Sequence, residues 1–293
     1  MTTWTDTLFY VVFLSQIFLI SYYFPTKVLG RMRYVLATYP PSKYPKLYPK
    51  PLEYYQKGQW GFQLATRCIL VLGFLILFAV VFLVDHSTFA DDGYISEIWP
   101  ALYGMIQFVP FMVLEFTEFS QFKLMREANK ATTRTARLRP RRLFDFVSPT
   151  LVIVTIVLYA TGVFFDLYVH DFVFDWGHDT LERTAVFAAT NLLLVGFGAW
   201  NLYGGKQNPH QSLDDRNRQI AMNLNSLFYV SIAMSVFIMT RVADDVIDIH
   251  FLDATLMSVY FQAITFLSLG HALRNLRLED VDFGVYMNDA AAT

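Results

Sequence analysis

Seven apolar stretches, each long enough to cross a bilayer as a helix, interrupt this chain at 8–24, 62–84, 98–119, 147–167, 185–202, 220–239 and 254–272. A hydrocarbon core of about 30 Å demands about 20 mostly apolar residues per helix, because backbone amides left unpaired in lipid are costly. Hydrophobic residues make up 55% of the 293, against 16% charged, which is more apolar surface than a soluble fold of this length buries. The fold class expected is therefore an all-α integral membrane protein, a seven-transmembrane-helix bundle in one membrane domain. Cys68 is the only cysteine, so an internal disulfide is excluded.

The loops alternate in charge, and that alternation sets an expected orientation. Lys27, Arg31, Arg33, Lys43, Lys46, Lys50 and Lys57 lie between spans one and two, and Lys123 to Arg142 supply eight more cations between spans three and four. Lys206, Arg216, Arg218, Arg274 and Arg277 bring one side to 20 of the 23 basic residues. Only Arg183 and Arg241, both at span ends, fall on the other. The positive-inside rule then places the N-terminus outside and the C-terminus in the cytoplasm. A multi-pass cell-membrane protein, of the bacterial inner-membrane type, is the expected location. The first span lacks a small-residue cleavage site and is read as retained.

Two cytoplasmic loops stand out. Residues 25–61 start with an amphipathic stretch, Lys27 to Thr38, expected to lie along the inner interface. Tyr39 to Pro51 then interleaves five prolines with Lys43, Lys46, Lys50 and three tyrosines, a pattern for extended chain serving as a stiff connector or as a lid. In the loop 123–146, Arg126, Lys130, Arg134 and Arg137 recur at helical spacing as a cationic stripe. The partners expected are membrane lipids, with anionic lipid at these basic loops, and a homo-oligomer is left open. Nothing points to nucleic acid.

Inside the spans, Glu115 and Glu118 share one helical face. If the third helix leaves the bilayer near Lys123, Glu118 lies roughly 7 Å and Glu115 roughly 12 Å inside the boundary. Arg67 has similar depth on the second span, so an Arg67–glutamate pair is expected, leaving one carboxylate to bind a proton. Asn225 and His271 fall on the same cytoplasmic half, and together these residues suggest a polar cavity open to the cytoplasm. Four histidines, His86, His170, His178 and His250, sit beside aspartates in the opposite loops; imidazole and carboxylate suit divalent metals, so they are candidate ligands, without a diagnostic spacing. No lysine follows Lys206, which excludes a retinal Schiff base in the last span, and no other cofactor is expected.

Three functional classes follow. The first is a carrier or channel-like protein that binds a small polar or amphipathic solute in the cytoplasm-facing cavity. The second is a non-catalytic scaffold or sensor. The third is an intramembrane hydrolase, suggested only by the spacing of His271 and Asn275 and by two glutamates that are not adjacent. A 3+1+3 arrangement, with span four linking two repeats, is compatible with the span directions.

Overall fold

The computed structural model describes residues 4–83, 90–91, 94–129, 141–173, 179–204 and 208–287. Seven of its helices are long and apolar enough to cross a membrane: α1 (Trp4–Thr38), α2 (Leu52–Phe82), α3 (Ile98–Ala128), α4 (Pro149–Val169), α5 (Thr180–Tyr203), α6 (Leu213–Ile247) and α7 (His250–Asn275). Only 11 to 39% of each apolar window is buried inside the protein, so the remaining apolar surface has to face lipid. This is a multi-pass membrane protein. Consecutive helices alternate in direction, giving the bundle one end rich in acidic residues, where α1 begins, and one basic end.

Without a hydrophobic drive between helices in lipid, close packing and interhelical hydrogen bonds decide which faces meet. Phe9, Phe13 and Ile17 recur at helical spacing on α1 and pack with Val80 of α2, Tyr103 of α3 and Ala254 of α7. Gly104 lets α3 approach α7 closely: a Cβ there would lie 2.5 Å from the Phe261 ring. A second core, Val147, Leu202, Ile220 and Leu224, holds α4, α5 and α6 together. Span four is thus no linker. It packs most extensively on α6, while α7 joins α1, α2 and α3, so the 3+1+3 grouping is replaced by a four-helix group and a three-helix group meeting along α6 and α7.

Several helices outrun the expected spans. The stretch after span one continues α1 through a π-helical turn, Leu19–Tyr23, and then packs beside α2, where Arg33 donates to Gln63 (2.8 Å) and Gln59 to the Met32 carbonyl (3.2 Å). A second π turn, Phe266–Gly270, interrupts α7. Ser148, followed by Pro149, caps α4 by accepting from the Leu151 amide, and Ser212 caps α6 by accepting from Asp215.

The proline-rich loop is compact rather than extended. A 3-10 turn at Pro45–Leu47 folds it back, and Tyr39 stacks on Phe283 of the C-terminal segment with ring centroids 3.8 Å apart. Tyr44, Phe283 and Tyr286 form the buried centre of this cap at the basic end. The aromatic rings of the loop and the tail bury one another. The tail is fixed to α6 by the Asp282 amide donating to the Asp215 carboxylate (3.0 Å), and to the loop before α6 by Asn208 donating to the Tyr286 hydroxyl (2.8 Å).

Candidate functional site

The inward face of α3 carries Pro100, Tyr103, Gln107 and, eleven residues on, Glu118, which falls on the same stripe because eleven residues make almost a whole number of turns. Its upper part is tightly engaged. Gln107 accepts from Gln16 (2.9 Å) and donates to Ser21 (2.8 Å), Ser258 donates to Gln16 (2.7 Å), and the Tyr103 hydroxyl donates to the Ile69 carbonyl (3.1 Å) beside Ser21 (3.0 Å). Gln16, Gln107 and Ser258 are 2% exposed or less. Each has its partners, so this polar core specifies how α1, α3 and α7 fit together and leaves no amide free to bind a solute.

Packing fails lower down. Buried positions on α3 stop at Pro110 and resume only at Met125. Glu115 and Glu118 lie between them, and both are exposed on the protein surface. Glu118 lies beside Glu115. Phe116, 75% exposed, marks the opposite, lipid-facing side of the same turn.

The aromatic cap lies near this stretch of α3. Burial pushes the Tyr286 hydroxyl up to about 12; the hydrogen bond from Asn208 opposes the shift, and the charges of Asp215, Glu118 and Asp282 add to it. Glu118 is therefore within electrostatic reach of the cap. Tyr48, whose hydroxyl donates to the Tyr39 carbonyl (2.6 Å), is likewise pushed up to about 12 by burial and by neighbouring Tyr55.

The expected Arg67 pair does not form. Phe62, Thr66 and Val80 mark the inward stripe of α2, and Arg67, one residue past Thr66, is turned about 100° away and is exposed. Among the described residues neither Arg67, Glu115 nor Glu118 makes an ion pair or hydrogen bond. Asn225 turns towards α4, donating to the Phe146 carbonyl (3.4 Å) and the Ala221 carbonyl (2.7 Å). His271 bonds to Asn275 (2.9 Å) and meets the Tyr229 ring edge-on. No hydrogen bond or ion pair joins these two to the glutamates, so the expected five-residue set reduces to the two carboxylates.

The acidic end is cross-tied by the two arginines that sequence reasoning passed over. Arg241 of α6 pairs with Glu97 (3.2 Å) at the start of α3 and with Asp253 of α7, while His250 contacts Asp244 (2.5 Å). Arg183 of α5 reaches Asp166 of α4 (3.0 Å) and Asp245 of α6 (3.0 Å), with His170 against both aspartates. Asp244 and Asp245 are adjacent, so the two clusters join into one belt around the end of α6. Asp244, His250 and Asp253 hold ligand atoms within 4.8 Å of one another, but Arg241 already occupies Asp253 and a cation would have to displace it. His170 belongs to the other half of the belt, and His86 and His178 lie outside the described residues.

A separate cavity of 620 Å³ opens between α4, α5 and α6, walled by apolar side chains around Gly198 and by the Asn191–Ser231 hydrogen bond (2.5 Å). Its walls suit lipid tails. No family model, curated protein or solved structure matches this chain.

Proposed function

We propose that this protein is a carrier-type membrane protein without catalytic activity, taking a positively charged amphipathic solute, in exchange for a proton, into a cleft at Glu118. The basic end faces the cytoplasm in this reading, as the positive-inside rule favours. The observation that carries it is the inward stripe of α3, which loses its packing below Pro110 where two carboxylates stand that, among the described residues, have no cationic partner. Carboxylates so placed favour a cation or a proton, and Phe111 on the same stripe offers an apolar wall. The cross-tied acidic end is then the closed side and the aromatic cap the adjustable one.

The tightly bonded polar core between α1, α3 and α7 favours a second reading, a scaffold or sensor that binds nothing in the cleft. Binding of tetraphenylphosphonium to the protein in nanodiscs separates the two. Wild type should bind and release about one proton per cation, and Glu118→Gln should weaken binding by about tenfold or more, the scale of a charge-assisted contact. Glu118→Asp should restore most of it. Equal binding by wild type and Glu118→Gln rejects the carrier reading.

A further inference from the structure

The two π turns face each other across a crevice of 510 Å³ at the basic end, lined by Leu19, Tyr23 and Phe24 of α1 and by Phe266, Gly270 and Leu273 of α7. Three cations rim it: Lys27, Arg31 and Arg274. No acidic residue lines it, and among the described residues none of the three makes an ion pair. Their positions are set by other means. Arg31 donates to the Leu273 carbonyl, Arg274 stands 5.0 Å over the Phe266 ring, and Lys27 stands 5.6 Å from the Tyr23 ring. These contacts orient positive charge without neutralising it.

Depth identifies what meets that charge. At 1.5 Å per residue Lys27 lies about 34 Å along α1 from Trp4, just beyond a hydrocarbon core of about 30 Å. The crevice therefore sits where headgroups lie. Its opposite side runs into exposed aromatic surface, with Phe18, Tyr23 and Phe266 between 43 and 55% exposed. Cationic at the interface and aromatic towards the hydrocarbon, it matches an anionic phospholipid more closely than a free anion. Both π turns contribute: the wider turns bring Phe24 and Gly270 to the floor, where a Cβ on Gly270 would lie 3.4 Å from the Phe24 ring.

We infer that this crevice is a binding site for the phosphate headgroup of an anionic phospholipid, with Arg31 and Arg274 as its principal contacts and Lys27 at the rim. It differs from general attraction of lipid to basic loops because it has walls, and it is independent of the cleft at Glu118.

Native mass spectrometry of the protein exchanged from nanodiscs of phosphatidylglycerol and phosphatidylcholine tests the site. Wild type should retain phosphatidylglycerol preferentially, and 10 mM glycerol phosphate should not displace it. Each of Arg31→Gln and Arg274→Gln should reduce retention about fivefold, and Arg274→Lys should retain most of it. The double variant Arg31→Gln/Arg274→Gln should lose more than either single, whereas the paired control Lys43→Gln/Lys46→Gln removes as much charge from the cap loop and should leave retention unchanged. Gly270→Leu fills the crevice at constant charge and should abolish the preference, with an unchanged melting temperature reporting that α7 still packs. Equal losses in the arginine and lysine pairs, or full retention by a folded Gly270→Leu protein, would overturn the assignment. Displacement by glycerol phosphate would make the ligand a free phosphate compound instead.

Discussion

Replacing Arg183 by leucine isolates the contribution of the acidic-end belt. The Asp166 side chain is 1% exposed, with Arg183 at 3.0 Å, His170 at 3.4 Å and a hydrogen bond from Thr184 at 3.1 Å. Removing the arginine leaves that carboxylate buried with only a hydroxyl and an imidazole. Breaking a buried pair costs about 3–5 kcal/mol; Arg183 is itself 19% exposed and His170 and Thr184 still contact the carboxylate, so the lower end, about 3 kcal/mol, applies. Replacing both partners, in Asp166→Leu/Arg183→Leu, removes the orphaned charge and should cost no more than about 1 kcal/mol. The single variant should therefore be about 2 kcal/mol less stable than the double. Equilibrium unfolding by SDS in mixed micelles measures all three proteins. A single variant within about 0.5 kcal/mol of wild type, or a double variant less stable than the single, would refute the belt as a buried-charge device.

Gly104→Ala should destabilise by about 1–3 kcal/mol, because its Cβ would lie 2.5 Å from the Phe261 ring; the same titration should show Phe261→Leu offsetting most of the loss. Burial, partly opposed by Arg241, raises the Glu97 pKa above its ordinary range, so wild type takes up this proton more readily folded than unfolded. Stability from that proton is fully present below the unfolded pKa and is lost as pH rises through the folded one. The melting temperature of wild type minus that of Glu97→Gln should therefore increase as pH falls from about 8 to about 4; a decrease would reverse the sign. Tyr39→Ala removes the stack on Phe283 and should release the C-terminal segment, seen as faster proteolysis after Val281 with little change in unfolding free energy of the helical bundle.

Spans and alternating charge were legible in the sequence because lipid demands long apolar runs, whatever the packing. Rotation about each helix was not. Arg67 has the right depth to meet Glu118 but lies one residue off the inward stripe, and only the packing of Thr66 and Val80 determines which way that stripe points. Gln107 is polar at depth in the sequence, but its bond to Gln16 could not be read because 91 residues separate them. The π turns carry no residue signature in Leu19–Tyr23 or Phe266–Gly270. Arg183 and Arg241 looked like ordinary span ends, although their isolation on the acidic side was the available clue. Glu115 and Glu118 were visible as costly residues, and they remain the centre of the candidate site.

The claim that α3 turns Glu118 into a water-filled cleft while Phe116 faces lipid is most directly tested by thiol labelling. In a Cys68→Ser background, single cysteines at Glu118 and Phe116 can be challenged with a membrane-impermeant maleimide in oriented vesicles. Cysteine at Glu118 should react only when reagent is presented at the basic end, and cysteine at Phe116 should stay unlabelled because thiolate does not form in hydrocarbon. An unreactive Glu118→Cys, or equal labelling at the two positions, would contradict the cleft and with it the site proposed for the solute.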